Sequence, residues 1–381
     1  MKHKSALYTT LTLTGLVAMT LGAYAFARFF LLPNFANSSP VFSTTYDLAA
    51  TSMPLPVAER KIAATLPGRI HSFAVSPDGK TLAIATSKGA ALYDLALYEQ
   101  LRTLNNQENT FAVAFSPDGK KLALGSLTLQ NSEAGIPHLI VWDTSNWKVL
   151  FEPRIGNGDT TMSFGALAWS TDGKLLATSD YDRGLVTFDV ATGKTISFQK
   201  DFLLSPYDIS WSPDGSRVVA TGDLGYGFRR WRVDNDKSVR LYDQRVDAAM
   251  QIAWSPDGKR IASAHGNGAV CFWTVKTNLC DGMIQADDIF ISSLAWSPDG
   301  GQLATGGDTI RVWNTQTGEL LTAFGEQAGP MYSQLEWLAN GMLVSLETGY
   351  VDRQLTVIRF WDMDIGEILL EFQGARGVFR K

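Results

Sequence analysis

The chain has 381 residues, 45% of them hydrophobic and 19% charged, with 34 glycines and 14 prolines. This composition argues against a wholly disordered chain, a collagen-like repeat and a polytopic membrane protein. The net charge of −5 argues against a nucleic-acid binder, which needs a basic surface to contact phosphates, and two cysteines are too few for a disulfide-dense scaffold or a four-thiolate zinc site.

The first 32 residues predict a hydrophobic helix that directs the chain to a membrane. Lys2 and Lys4 precede residues 5–27, which carry no charge and end in alternating small residues. An uncharged run of this length is a candidate membrane span, whereas the small residues fit a signal-peptide cleavage site. We therefore expect residues 1–32 to be a retained transmembrane anchor or, alternatively, a cleaved signal peptide. Because the lysines stay in the cytoplasm, the rest of the chain is expected outside it, either membrane-anchored or secreted or periplasmic after cleavage.

Residues 33–58 predict an extended linker. Four prolines lie among serine, threonine, alanine and asparagine in this segment. Such a composition is typical of a linker rather than of a packed element, so the folded domain is expected to occupy residues 59–381.

A repeat of about 42 residues covers the remainder of the chain. Each unit contains an alternating strand, a tight turn with the sequence Ser-Pro-Asp-Gly or a variant of it, a second strand, a third strand that carries an aromatic residue, and a fourth strand. Proline, aspartate and glycine each favour the backbone of a tight turn for a separate reason. The third residue of the turn recurs seven times, at Asp78, Asp118, Asp172, Asp214, Asp257, Asp299 and Asn340.

Ten of the eleven tryptophans occupy two positions of this repeat, which indicates a role in packing between units rather than in ligand stacking. One position ends the first strand, and the other lies near the end of the third strand. The first holds Trp169, Trp211, Trp254, Trp296 and Trp337, and the second holds Trp142, Trp231, Trp273, Trp313 and Trp361.

From about Ile62 onward these units resemble bacterial WD40 repeats, and the resemblance implies an all-β, seven-bladed β-propeller. The repeat, together with the loop lengths and the missing catalytic motifs described below, predicts a non-enzymatic scaffold that binds a protein or a peptide. The related Pro-Asp-Gly propellers of the Tol system and of prolyl peptidases are an alternative, but the tryptophans on the third strand favour WD40. The family's Gly-His pair is missing from every unit. We therefore expect its buried Asp-His-Ser-Trp network not to form in the usual way, leaving aromatic packing to hold the blades.

The sequence leaves two candidates for the outer strand that completes the seventh blade. Residues 61–66 and residues 368–372 both have the pattern of a fourth strand. We favour the N-terminal candidate, because pairing the two ends of the chain would lock the ring.

One face of the predicted propeller carries all the variation in loop length, and we expect the partner to bind there. In a blade of four antiparallel strands, the turns after the first and third strands share a face and are uniformly tight here. The opposite face, called the elaborated face below, is predicted to carry long loops at residues 127–138, 154–164 and 347–354. Aromatic, arginine and histidine residues on it form the predicted partner-binding set: Tyr181, Arg183, Tyr207, Tyr226, His265, Phe290, Tyr350 and Arg353.

No catalytic residue, metal or cofactor is predicted. The four histidines are scattered, and the chain has no nucleophile elbow, phosphate loop or dinucleotide fingerprint. The alternative to a binding scaffold is a propeller enzyme, such as a lactonase or a metal-dependent hydrolase, with its site at the mouth of the central channel.

The two cysteines allow either a disulfide or two buried thiols. Cys271 and Cys280 are predicted on neighbouring strands of one blade, close to a diagonal pair. The Cα separation of such a pair, about 7–8 Å, exceeds what a relaxed disulfide tolerates. A location outside the cytoplasm would permit the bond.

Overall fold

The computed structural model describes the chain between Ile62 and Gly374, apart from short gaps. The gaps are residues 106–107, 131–133, 154–165, 181–183, 200–205, 223–226, 235–236, 288–289, 326–329, 350–354 and 364–365. The described part consists of strands, turns and loops. The predicted N-terminal helix and linker lie outside the described residues. Within the described residues, the chain has no helix with the length and apolar character needed to cross a bilayer.

The strands form seven antiparallel sheets of four consecutive strands, and a further strand, β1 (Ile62–Leu66), joins the last sheet. The first three blades contain β2 (Ile70–Val75), β3 (Thr81–Thr86), β4 (Gly89–Asp94) and β5 (Gln100–Leu104); β6 (Asn109–Phe115), β7 (Lys121–Gln130), β8 (Ala134–Asp143) and β9 (Val149–Phe151); and β10 (Leu167–Trp169), β11 (Leu175–Asp180), β12 (Gly184–Asp189) and β13 (Thr195–Gln199).

The remaining four blades follow the same order. They contain β14 (Ile209–Trp211), β15 (Arg217–Ala220), β16 (Gly227–Arg232) and β17 (Ser238–Tyr242); β18 (Ala249–Trp254), β19 (Arg260–His265), β20 (Ala269–Thr274) and β21 (Leu279–Gln285); β22 (Ser293–Trp296), β23 (Gln302–Gly306), β24 (Ile310–Asn314) and β25 (Leu320–Phe324); and β26 (Pro330–Trp337), β27 (Leu343–Gly349), β28 (Thr356–Asp362) and β29 (Glu367–Gly374).

The Ser-Pro-Asp-Gly turn shows why each unit begins with a hairpin. In the first blade Ser76 Oγ donates to Asp78 Oδ1 at 2.6 Å, and the same carboxylate oxygen accepts from Lys80 N at 3.1 Å. The glycine that follows has a φ of 71°, a conformation that costs glycine little. The serine hydroxyl holds the pKa of Asp78 below its ordinary value. The same serine–aspartate bond recurs in the next five blades, so these aspartates form turns, as predicted.

The hydrophobic core lies between neighbouring blades. Side chains alternate along each strand, so each sheet packs one face against the preceding blade and the other against the following one. Between the fourth and fifth blades, for example, the rings of Phe228 and Trp273 meet edge to face with centroids 5.3 Å apart. The first-strand tryptophans also link blades: the indole N–H groups of Trp169 and Trp211 each donate at 3.0 Å to an alanine carbonyl of the blade before.

A hydrogen-bonded tryptophan network forms in the fifth blade without the Gly-His pair, in addition to the aromatic packing that was predicted to hold the blades in the main. In the fifth blade Trp273 Nε1 bonds Ser263 Oγ at 2.7 Å, and Ser263 Oγ lies 2.7 Å from His265 Nε2. His265 Nδ1 reaches the carbonyl of Asp247 at 2.7 Å. The histidine therefore comes from the second strand of the same blade, two residues after the serine. His265 is closer in sequence to Ser263 than the histidine of the family's Gly-His pair is to its serine.

The seventh blade carries a charged version of the same network. Trp361 Nε1 donates to Ser345 Oγ at 2.8 Å, and Ser345 in turn bonds Glu347, the residue two positions further along. Arg359 pairs with Glu347 and donates from Nε to Glu371 Oε2 at 2.9 Å. All three ionic side chains are buried. The ion group thus spans the second, third and fourth strands of one blade.

The seventh blade closes differently from the prediction. Its fourth strand is β29, at the C-terminus, and the N-terminal strand β1 pairs in parallel with the outer edge of β29 as a fifth strand. The preference for the N-terminal candidate as the fourth strand is therefore wrong. Both candidates are used, because β29 continues directly from β28 through a short turn and leaves the outer edge free for β1.

Candidate partner-binding face

The structure describes three of the eight predicted partner-binding residues. Tyr207 and Phe290 lie in connections between blades on the elaborated face, where Tyr207 is 38% exposed and Phe290 is partly buried. The other five lie outside the described residues: Tyr181, Arg183, Tyr226, Tyr350 and Arg353.

His265 is not available to a partner. Its side chain is fully buried and both ring nitrogens are hydrogen-bonded within the fifth blade. Burial lowers its pKa to about 4, so the ring is neutral at pH 7. The histidine therefore belongs to the blade core. The sequence predicted it on the surface of the elaborated face because it lies at the very end of its strand.

Two of the three predicted long loops are partly strand. Residues 127–138 continue the hairpin of β7 and β8, which stay in register out to the pair Gln130 and Ala134. Glu347 is likewise a strand residue, within β27. The third predicted loop, residues 154–164, lies outside the described residues. In the second blade, the extra length thus extends a hairpin beyond the ordinary edge of the blade.

A bulge repeated in the innermost strands gives the elaborated face a ring of side chains at the mouth of the channel. In the first, second, fifth and seventh blades the register with the second strand slips by one residue. A bulge turns its extra side chain away from the ladder, here at the start of the strand that surrounds the channel. The extra residues are His71, Phe111, Met250 and Ser333.

These residues share one sequence position, seven before the turn residue of their unit. Tyr207 and Ser292 occupy the same position in the fourth and sixth blades, and Gly165 occupies it in the third. Of this set, only Tyr207 was predicted from the sequence to contact a partner. The spacing to the turn would have found the others, but a bulge within a strand leaves no local signal of its own.

The side chains at this repeat position differ in size and polarity from one blade to the next around the channel. The large side chains of His71, Phe111 and Met250 are partly buried and Tyr207 is 38% exposed, and the rings of His71 and Phe111 contact each other with centroids 5.0 Å apart. In the sixth and seventh blades the position holds serines. Ser292 Oγ donates to the Tyr332 carbonyl at 2.7 Å. The mouth is therefore lined by apolar and aromatic groups on one side and by small polar groups on the other.

The electrostatics of the mouth are weak. Burial and the neighbouring Arg69 lower the pKa of His71 to about 4, which leaves its ring neutral at pH 7. Burial raises the pKa of Asp208, beside Tyr207, to about 6, although its carboxylate accepts from Ile252 N at 2.8 Å and from Ile209 N at 2.9 Å. The aspartate therefore ties the fourth blade to the fifth.

The two cysteines form a disulfide between the third and fourth strands of the fifth blade. A bulge at Asp281 sets Cys280 opposite Trp273, two residues from Cys271 and on the same face of the sheet. The Cα atoms are 5.9 Å apart, which is within the range of ordinary disulfides and shorter than the expected diagonal.

The described residues contain no group of three or more histidine, cysteine, aspartate or glutamate side chains arranged to hold a metal ion. The turn aspartates are occupied by serine hydroxyls and backbone N–H groups, as described above. The features of the elaborated face are thus those of a contact surface, with exposed aromatic and apolar side chains on a rigid frame.

Seven four-stranded blades around a channel, with tight turns on one face and longer connections on the other, define a repeat β-propeller. The WD domain, G-beta repeat family matches residues 247–274 and 281–314. The chain is also similar to an uncharacterized WD repeat-containing protein of Synechocystis sp., at 27% identity over 187 residues; the alignment spans 48% of this chain and 50% of that relative. Together with the sevenfold repeat, these findings support a propeller of the WD40-repeat kind.

Proposed function

We propose that the chain is a non-enzymatic scaffold that binds a protein or peptide partner through the elaborated face. The observation that carries this proposal is the equivalent position of His71, Phe111, Tyr207 and Met250 at the channel mouth, where the rings of the first two contact each other. Aromatic and methionine side chains are enriched at protein interfaces, and a propeller holds them in place at little cost in conformational entropy. The serines of the sixth and seventh blades leave room beside them for a projecting segment of the partner.

The test is partner capture with a matched pair of tyrosine variants. Tyr207 and Tyr242 are both exposed tyrosines of the fourth blade, but Tyr242 lies on its outermost strand, far from the channel. Y207A combined with F111A and M250A should abolish capture of a partner that the wild-type protein and Y242A both retain. Equal capture by the triple variant and Y242A, with both proteins folded, would exclude the elaborated face as the binding surface.

We further propose that the propeller works outside the cytoplasm, held to the membrane by residues 1–32. The uncharged run after Lys2 and Lys4 supports this location, and so does the disulfide, since such bonds persist in oxidising compartments. Protease treatment of spheroplasts, whose outer layers are opened while the cytoplasmic membrane stays intact, and alkaline extraction of the membranes test both parts. Protection of the propeller from the protease would overturn the location, and release by alkali would replace the anchor with a cleaved signal.

A further inference from the structure

A cavity lies at the end of the channel away from the elaborated face, on the face of the Pro-Asp-Gly turns. It has a volume of about 710 Å³ and lies between the innermost strands of the first, second, third and seventh blades. Apolar side chains, among them Val113, Phe115, Leu167 and Trp337, form about half of its wall, and polar groups that include Gln334 form the rest. No binding site was predicted on this face, because every turn on it is short.

One acidic side chain in this cavity departs from the repeat. Glu336 lies four residues before the turn residue of its unit, at the end of the innermost strand of the seventh blade. The fourth blade has Ser210 at this position. The other five blades have alanine: Ala74, Ala114, Ala168, Ala253 and Ala295. A glutamate is therefore not needed to build the strand.

The carboxyl group of Glu336 has little compensation for its burial. It accepts one long hydrogen bond, from Val75 N at 3.4 Å. The charged side chains among the described residues that line the cavity are Glu336 and Asp78, and both are acidic. Burial raises the pKa of Glu336 to about 7, while the Ser76 hydroxyl keeps the pKa of Asp78 low. A buried carboxyl without a counter-ion is costly, and a cationic ligand would remove that cost.

We propose that this cavity binds a primary alkylammonium group, with Glu336 as its counter-ion. The class of ligand follows from the walls. The Glu336 carboxylate lies beside apolar side chains, while that of Asp78 is held within its turn, and this arrangement suits one compact cation on a hydrocarbon stem that the rings of Phe115 and Trp337 can contact. A divalent metal would need more oxygen ligands than the cavity supplies. The ammonium can come from a free amine or from a lysine side chain of a peptide.

The ionisation of Glu336 gives this binding a pH dependence. The facing strands β2, β6 and β10 contribute no other titratable side chain to the cavity, and Asp78, on the adjoining turn, stays ionised through the neutral range. With a pKa of about 7, the ionised fraction of Glu336 rises from about 0.1 at pH 6 to about 0.9 at pH 8. The affinity for an alkylammonium ion should therefore rise about tenfold over this range.

Calorimetric titration of the full chain with n-butylammonium at pH 6, 7 and 8 tests the proposal. We expect binding that strengthens about tenfold with pH, no binding of the neutral n-butanol, and a loss of at least tenfold in E336A. Because alanine occupies the position in five other blades, E336A should fold. The control is E319Q, which removes an exposed carboxylate from the turn of the sixth blade on the same face.

Three outcomes would overturn the proposal: no binding of n-butylammonium by the wild-type protein, equal binding by E336A and wild type, or equal losses in E336A and E319Q. A parallel titration with the lysine peptide acetyl-Gly-Lys-Gly-amide separates the two sources of the amine. Tighter binding of the peptide than of n-butylammonium supports a lysine side chain, and weaker binding supports a free amine. Failure of this site leaves the partner-binding proposal intact, since that proposal concerns the other face.

Discussion

Substituting Ser263 by alanine tests whether the tryptophan network of the fifth blade holds the blade together. Ser263 is fully buried, and its hydroxyl lies between Trp273 Nε1 and His265 Nε2, 2.7 Å from each. The substitution removes one oxygen atom and changes neither the backbone nor the apolar packing to any great extent. The effect on stability therefore comes mainly from the hydrogen bonds.

The direction of every proton in this network follows from the donors available. The indole of Trp273 can only donate, so the serine oxygen accepts from it and donates its own proton to His265 Nε2. His265 Nδ1 then carries the proton of the neutral ring and donates it to the carbonyl of Asp247. S263A leaves a buried donor and a buried acceptor without partners. Each costs about 1–3 kcal/mol, so the free energy of unfolding should fall by about 2–6 kcal/mol.

Urea unfolding followed by tryptophan fluorescence measures this loss, with T305V as the matched control. In the sixth blade Thr305 Oγ1 accepts from Trp313 Nε1 at 3.0 Å, but no histidine follows it, since Gly307 stands two residues further along. T305V preserves shape, takes the acceptor from the tryptophan and removes only a long hydrogen bond, 3.4 Å, to the Arg311 carbonyl, so about half the loss is expected. A loss below about 1 kcal/mol in S263A, or an equal loss in both variants, would refute the network as a source of stability.

Three further predictions concern buried groups. The pKa of His265 in the folded protein is about 4, below its unfolded value, so its contribution to the free energy of unfolding is present above pH 6.5 and is lost as the pH falls towards 4. Between pH 7 and pH 4 the free energy of unfolding of H265Q should therefore fall by about 3 kcal/mol less than that of wild type. Parallel curves of unfolding free energy against pH for the two proteins would contradict this. R359M removes the guanidinium that pairs with Glu347 and Glu371, and it should lower the free energy of unfolding, measured with denaturant, by about 3–5 kcal/mol. The neutral triple variant E347Q/R359M/E371Q should recover much of this loss. Reducing the disulfide opens a loop of nine residues and should cost about 2–3 kcal/mol in wild type; C271A/C280A, which has no disulfide to lose, should not respond to the reductant.

The blades could be predicted from the sequence because each is specified locally. The Ser-Pro-Asp-Gly turn fixes the hairpin between the first two strands, and the alternation of apolar residues fixes which faces pack. The packing role of the tryptophans followed from the same spacing, and the indole bonds from Trp169 and Trp211 to the preceding blade agree with it. These features depend on residues a few positions apart, where sequence patterns are informative.

The candidate site was harder to predict because its residues are defined by register. Met250 and Phe111 look like ordinary strand residues until a one-residue slip turns them towards the channel. His265 shows the reverse, since it sits at the end of a strand yet closes a buried network. Glu336 is visible as an exception to the repeat only after the units are aligned on their turns. Short-range sequence patterns therefore predicted where the strands lie but not which way the side chains at their ends point.

Closing a ring of similar repeats requires residues that break the repeat. Seven equivalent blades carry no information about where the ring should begin or end, so the contact between the seventh and first blades must be specified by departures from the common pattern. Gln334 of β26 bonds both the N–H and the carbonyl of Phe73, and Thr356 Oγ1 accepts from Ile70 N at 2.8 Å. Strand β1 adds a fifth strand to the seventh blade and leads directly into the first. These departures concentrate at one seam, and Glu336 lies in the same seam. The cavity proposed to bind an ammonium group lies beside this seam, since the first and seventh blades both line it.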